Sequence, residues 1–215
     1  MTDTATPQDL PARVEVVVVG AGLMGAASTW QLAQRGIETL VLEQFEPATV
    51  HGSSHGSARI VRRAYPHDDY VRLTGEAFDL WAELEAQSSR TLLRLTGGID
   101  HGRDRDPRSI AAAMTRTGIP HLVLDAGEAE QRWEGMRFDG PVLYHEQAGT
   151  MDAAGAVAAF LEVATEHGAQ LRTGVTVTGI EPLGDEAMVH TDRGSVRARR
   201  VVVAAGACAR GSSAT

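Results

Sequence analysis

The stretch VVVVGAGLMGAASTWQLAQRGIETLVLE, residues 16–43, decides the fold. A β-branched run, Val14–Val19, stops at Gly20, as a strand buried on both faces of a parallel sheet would. Leu23, Ala26, Ala27, Trp30 and Ala33 then recur at helical spacing, one apolar face of a helix that ends near Gly36. Thr39–Glu43 reads as the next strand. Strand, helix and strand within about 30 residues predict a βαβ unit. The fold class is therefore α/β, with a Rossmann-type domain.

The glycines add chemistry to that outline. G20-A-G-L-M-G25 matches the dinucleotide fingerprint G-x-G-x-x-G. Gly20 permits the tight turn, Gly22 lets backbone N–H groups approach a pyrophosphate, and Gly25 allows close packing of helix on strand. The helix that starts here points its positive end at the phosphates. Glu43 ends the second strand 23 residues after Gly20, where a carboxylate can accept hydrogen bonds from a ribose. An acid in that place disfavours NADP, whose extra phosphate it would repel, and leaves NAD and FAD both open.

Composition narrows the function classes. The 215 residues carry a net charge of −8, which argues against nucleic acid as a partner. No apolar run approaches the roughly 18 residues of a membrane span, and the polar start reads as a disordered lead, residues 1–11. A single cysteine forbids an internal disulfide and suits a reducing cytoplasm. All 20 basic residues are arginine, so a Schiff-base or P-loop lysine within this chain is impossible. No metal site is expected: His51 and His55 stand four apart, but Gly-Ser-Ser between them breaks a helix.

Further along, Phe45–Ser57 reads as a loop. Leu73, Ala77, Leu80, Trp81 and Leu84 mark the buried face of a second helix. Short strands are expected at 97–102 and 121–124, with a helix over 109–116 between them and a solvated Arg/Asp-rich loop at 103–108. Asp152 is a good N-cap for a helix with Ala153, Ala156, Val157, Phe160, Leu161 and Ala164 on its apolar face. Strands at 171–180, 187–190 and 196–203 close the pattern.

The loop after the second strand, G52-S-S-H-G-S-A-R-I-V-R-R-A-Y65, together with G20-A-G-L-M-G25 and Glu43, resembles the FAD-dependent D-amino-acid oxidase superfamily. Within it, the chain is most similar to the monomeric sarcosine oxidase and N-methyltryptophan oxidase branch. L80-W-A-E-L84, R132-W133 and V201-V-V-A-A-G-A207 match more weakly, so the likeness runs over about residues 14–208. The resemblance implies FAD as cofactor and an amino acid or N-methyl amino acid as substrate, oxidised at its C–N bond. Gly20, Gly22, Gly25, Glu43, Ser53, Ser54, His55, Gly56 and Val175 would bind the cofactor. Arg59 would sit over the flavin ring and Arg62 would pair with the substrate carboxylate, a task suited to a permanently charged, bidentate group.

Two positions depart from the pattern. Ser54 stands where the branch often has histidine, and Cys208 where the family usually has tryptophan. The family is also nearly twice as long. The resemblance implies that the missing half carries an oxygen-activating lysine, further substrate contacts and the cysteine that holds flavin covalently. The expected layout is a FAD domain from 12–65 and 150–208, part of a substrate domain from 66–149, and a tail from 209–215. A complementary C-terminal fragment is an expected partner. Two rivals stand beside this reading: an NAD-linked dehydrogenase, and a non-catalytic FAD-binding fragment of a split assembly.

Overall fold

The structure is a computed structural model that describes residues 10–48, 52–54, 56 and 58–206. In chain order, β1 (Arg13–Val19), α1 (Leu23–Gln34) and β2 (Thr39–Leu42) come first. Then follow β3 (Arg59–Arg62), α2 (Asp68–Ser88), β4 (Leu93–Leu95), β5 (Gly98–Asp100), α3 (Pro107–Arg116), β6 (Leu122–Leu124), α4 (Ala126–Arg132), β7 (Val142–His145) and β8 (Ala148–Met151). Last come α5 (Ala153–Glu166), β9 (Gln170–Arg172), β10 (Val177–Leu183), β11 (Glu186–Thr191) and β12 (Gly194–Val203).

The chain divides into two compact units, one from residues 1–57 and 153–215, the other from 58–152. These bounds differ from the 65/66 and 149/150 of the sequence reading. The reason lies in strand pairing: β3 joins β8 antiparallel, so the Arg59–Arg62 segment belongs to the second unit.

The first unit is built on a six-stranded sheet in the order β10-β11-β12-β1-β2-β9. β12, β1, β2 and β9 run parallel, and β10-β11-β12 form an antiparallel meander. Val17 and Val18 point to opposite faces and are both fully buried, which is why Val16–Val19, past the exposed Glu15, carries no polar alternation. One face is sealed by α1 and α5, where Trp30 packs on Phe160 with ring centroids 5.3 Å apart. The expected apolar face of α5, Ala153 through Ala164, is buried throughout. The single strand expected over 171–180 is two. Gly174 at φ +64° turns the chain between β9, which pairs with β2, and β10, which pairs with β11.

The second unit holds two three-stranded sheets, β3-β8-β4 and β5-β7-β6. Its core gathers Val71 of α2, Ile110, Ala113 and Met114 of α3, and Leu143 of β7. The expected face of α2 is only partly right. Leu84 is fully buried, but Leu73 and Leu80 are 59% and 41% exposed. Among the described residues α2 is buried at Val71 and Leu84, and the side that carries Leu73 and Leu80 stays exposed. The Arg/Asp-rich loop is also more than a solvated turn. Asp106 caps α3 by accepting from the Ser109 N–H, with Pro107 favourably placed in the first turn. Arg105 donates from Nε to Asp100 Oδ1 at 2.8 Å, and that aspartate is buried.

Candidate functional site

The glycine turn sits where β1 ends and α1 begins. Gly20 has φ +97°, and a Cβ there would lie 2.8 Å from the Ala204 carbonyl oxygen. Gly25, one turn into α1, is tighter still, because a Cβ would stand 1.9 Å from the Gly20 carbonyl oxygen. No side chain can occupy that point, so the helix can lie this close to its own strand only with glycine. Gly22 is the N-cap in an extended conformation, and a Cβ on it would meet only Ser54 Oγ, at 3.5 Å.

Two side chains hold this turn from outside it. Glu43, just past β2 and buried, accepts from the Ala21 N–H at 2.7 Å through Oε2 and from the Phe45 N–H at 2.9 Å through Oε1. Its carboxylate thus ties the glycine turn to the end of the neighbouring strand, and each oxygen keeps lone-pair capacity for another donor. Ser54 Oγ accepts from the Leu23 N–H at 3.0 Å, capping the first turn of α1 from a loop 31 residues away. Gly22 makes no side-chain cap, so Ser54 fills the role the glycine cannot.

Around the turn lies a cleft of about 270 Å³. Gly20, Gly22, Glu43, Ser53, Ser54 and Val175 all line it, six of the residues singled out from the sequence. Gly56, at φ +95°, is described but is not part of its wall. His55 lies outside the described residues, as do His51 and Cys208. Val175 is buried, and its N–H already donates to the Glu43 carbonyl at 3.0 Å. The sequence reading missed much of the apolar wall: Met24, Phe45, Val177, Ile180 and Val203. Met24 is 72% exposed and Val203 57%, an unusual display of apolar surface at the mouth of a cleft.

These features fit a large nucleotide. A helix N-terminus and a glycine-rich turn offer N–H groups to phosphates, a buried carboxylate stands ready for hydroxyls, and the apolar wall suits an aromatic ring system.

Arg59 and Arg62 lie in the second unit, on the strand β3. In β3 Arg59 stands opposite Met151 and Arg62 opposite Ala148. Residues three apart in a strand face opposite sides, so the sheet separates the two guanidinium groups. Arg59 is exposed. Arg62 is half-buried, its guanidinium lies 5.3 Å from the Tyr65 ring centroid, and its buried Nε has no hydrogen-bond partner. Arg63 is structural: it donates to Gln147 Oε1 and to the Val71 carbonyl, both at 3.0 Å. No helix among the described residues is long and apolar enough to cross a membrane.

Comparison with known proteins agrees with the geometry. The family model described as FAD dependent oxidoreductase matches residues 15–214. A monomeric sarcosine oxidase from Streptomyces avermitilis is 36% identical over 201 residues, covering 91% of this chain and 52% of that protein. A peroxisomal sarcosine oxidase from Mus musculus is 34% identical over 196 residues, covering 89% of this chain and 50% of the other. Among solved structures, NikD, described as an unusual amino acid oxidase essential for nikkomycin biosynthesis, superposes with a TM-score of 0.82 at 34% identity. That match covers 94% of this chain and 53% of NikD. The chain spans about half the length of the curated relatives it matches.

Proposed function

The chain belongs to the family of FAD-dependent oxidoreductases, and from that premise we propose that it serves the oxidation of an amino acid or N-methyl amino acid at the C–N bond. The family membership decides for FAD over NAD. The observation that carries the proposal is the pairing of a glycine-rich turn at the start of α1 with the buried Glu43 carboxylate in one cleft.

In this reading the turn Gly20–Gly25 at the N-terminus of α1 holds the pyrophosphate, and Glu43 holds a ribose. Ser53, Ser54, His55, Gly56 and Val175 complete the cofactor's surroundings. FAD bound there supplies the acceptor for the hydride equivalent that leaves the substrate carbon next to nitrogen. Arg62 pairs with the substrate carboxylate, and its unpartnered buried Nε supports that role. Arg59 contributes positive charge towards the reduced flavin. A complementary stretch corresponding to the other half of the relatives is part of the proposal. Exposed apolar residues in the second unit support it: Ile60 at 76%, Leu73 at 59% and Leu95 at 52%.

The test is to purify the chain, add FAD, remove the excess and record the visible spectrum. A retained flavin band, bleached anaerobically by sarcosine, glycine or proline once a complementary half is supplied, supports the proposal. A chain that retains no flavin overturns it.

A further inference from the structure

The second unit buries a histidine that the proposed chemistry does not use. His145, the last residue of β7, is 1% exposed, and neither ring nitrogen has a hydrogen-bond partner. Its neighbour Asp100 on β5 comes no closer than 3.9 Å, from Oδ2 to Nε2, beyond hydrogen-bonding distance. Asp100 is already engaged, since Arg105 donates to its Oδ1 from two nitrogens. A buried imidazole left unpaired in this way is costly, and such groups mark places where the protein has a use for the strain.

His145 and Arg62 lie on strands whose pairing partners meet at the junction of the two sheets. His145 pairs with Gly98, and Arg62 pairs with Ala148. Those two partners abut: a Cβ on Gly98 would stand 2.7 Å from the Ala148 Cβ and 3.7 Å from His145 Nε2. Arg105 bridges the same region by donating to the Ala64 carbonyl at 3.4 Å, two residues past Arg62. The charges that face the imidazole are Asp100 from β5, Arg62 from β3, Arg105 from the turn before α3, and His121 from the approach to β6. Among them, two guanidinium groups and one carboxylate sum to a charge of +1.

We propose that His145 is a positioning residue whose proton answers to the ligand at Arg62: a carboxylate bound by Arg62 draws a proton onto the His145 ring. The inference rests on the reading of Arg62 as the carboxylate partner. Burial, with Arg62, His121 and Arg105 adding to it, holds His145 below the ordinary histidine range, and Asp100 opposes them only in part. A ligand carboxylate lowers the positive charge around the ring by one, and the cost of a cationic imidazole falls. By reciprocity a proton on His145 strengthens carboxylate binding. Affinity for an ionised carboxylate then rises as pH falls through the His145 titration, and binding takes up protons from solution.

The experiment is an NMR titration of the full chain labelled with 15N, following the His145 ring nitrogens and the Arg62 Nε–H signal. In the free protein, Arg62→Gln should move the His145 midpoint upward, and Arg62→Lys, which keeps the charge, should leave it near the wild-type value. With wild-type protein, saturating acetate should shift the Arg62 Nε–H signal and raise the His145 midpoint together. An Arg62 signal that responds to acetate while the His145 midpoint stays fixed overturns the inference and spares the reading of Arg62. If acetate leaves Arg62 unmoved, that reading fails, and the Arg62→Gln arm still decides the coupling. An upward move there upholds it, and an unmoved midpoint overturns it.

Discussion

Replacing Glu43 by Gln tests the centre of the site with almost no change of shape. The carboxylate accepts two backbone N–H groups, Ala21 at 2.7 Å and Phe45 at 2.9 Å, one on each oxygen. The amide offers one oxygen and one NH2, so whichever way it turns, one of those N–H groups faces another donor. A hydrogen bond to a charged acceptor contributes about 1.5–3 kcal/mol, and a neutral one about 1 kcal/mol. Loss of one and weakening of the other sum to about 2–5 kcal/mol in the chain without cofactor. That is a large share of the roughly 5–15 kcal/mol that stabilises a typical domain. A urea unfolding curve reads this change directly. FAD affinity, followed by quenching of flavin fluorescence, should fall about tenfold or more, which is about 1.4 kcal/mol. Glu43→Gln protein with wild-type stability and wild-type FAD affinity would refute both roles assigned to the carboxylate.

Gly25→Ala should abolish FAD binding and the cooperative unfolding transition of the first unit, because its Cβ would fall 1.9 Å from the Gly20 carbonyl oxygen. Gly36→Ala is the contrast: at φ +71° with nothing within 4 Å, it should cost only about 1–2 kcal/mol of backbone strain. Ser54→Ala removes the cap on Leu23 and should lower stability by about 1 kcal/mol in the same urea assay. His145 gives stability a pH dependence of known sign. Burial depresses its proton affinity in the fold, so the unfolded chain binds the proton first. Stability is then full above about pH 6.5 and declines as pH falls below it, by at most about 1.4 kcal/mol per pH unit, until the folded state also takes the proton. Over that window the urea midpoint of wild type should fall with pH more steeply than that of His145→Gln; equal slopes would count against a buried neutral imidazole. Finally, hydrogen peroxide release from the chain alone with FAD and sarcosine should stay far below an ordinary turnover of about 1 per second.

Much of the first unit could be read from the order of residues. Val14–Val19, the glycines at 20, 22 and 25, the stripe through Trp30 and the carboxylate at 43 are local patterns, and the periods of strand and helix write them directly into the sequence. The same holds for α5, whose apolar positions are the buried ones. Four results depended on the tertiary structure. Arg59-Ile60-Val61-Arg62 carries no pattern that separates strand from helix end, and only its pairing with β8 makes it a strand and parts the two arginines. Leu73 and Leu80 look like Leu84 in sequence, yet what packs against each turn of α2 decides which is buried. Ser54 caps α1 across 31 residues, and no local signal announces a cap supplied from another loop. His145 is one histidine among eight, distinguished only by the sheets that close over it and by the charges they bring. Periodicity and turn chemistry act between near neighbours and are legible one residue after another. Strand pairing, burial and electrostatic environment arise between residues far apart in the chain, and so they exist only once the chain has folded.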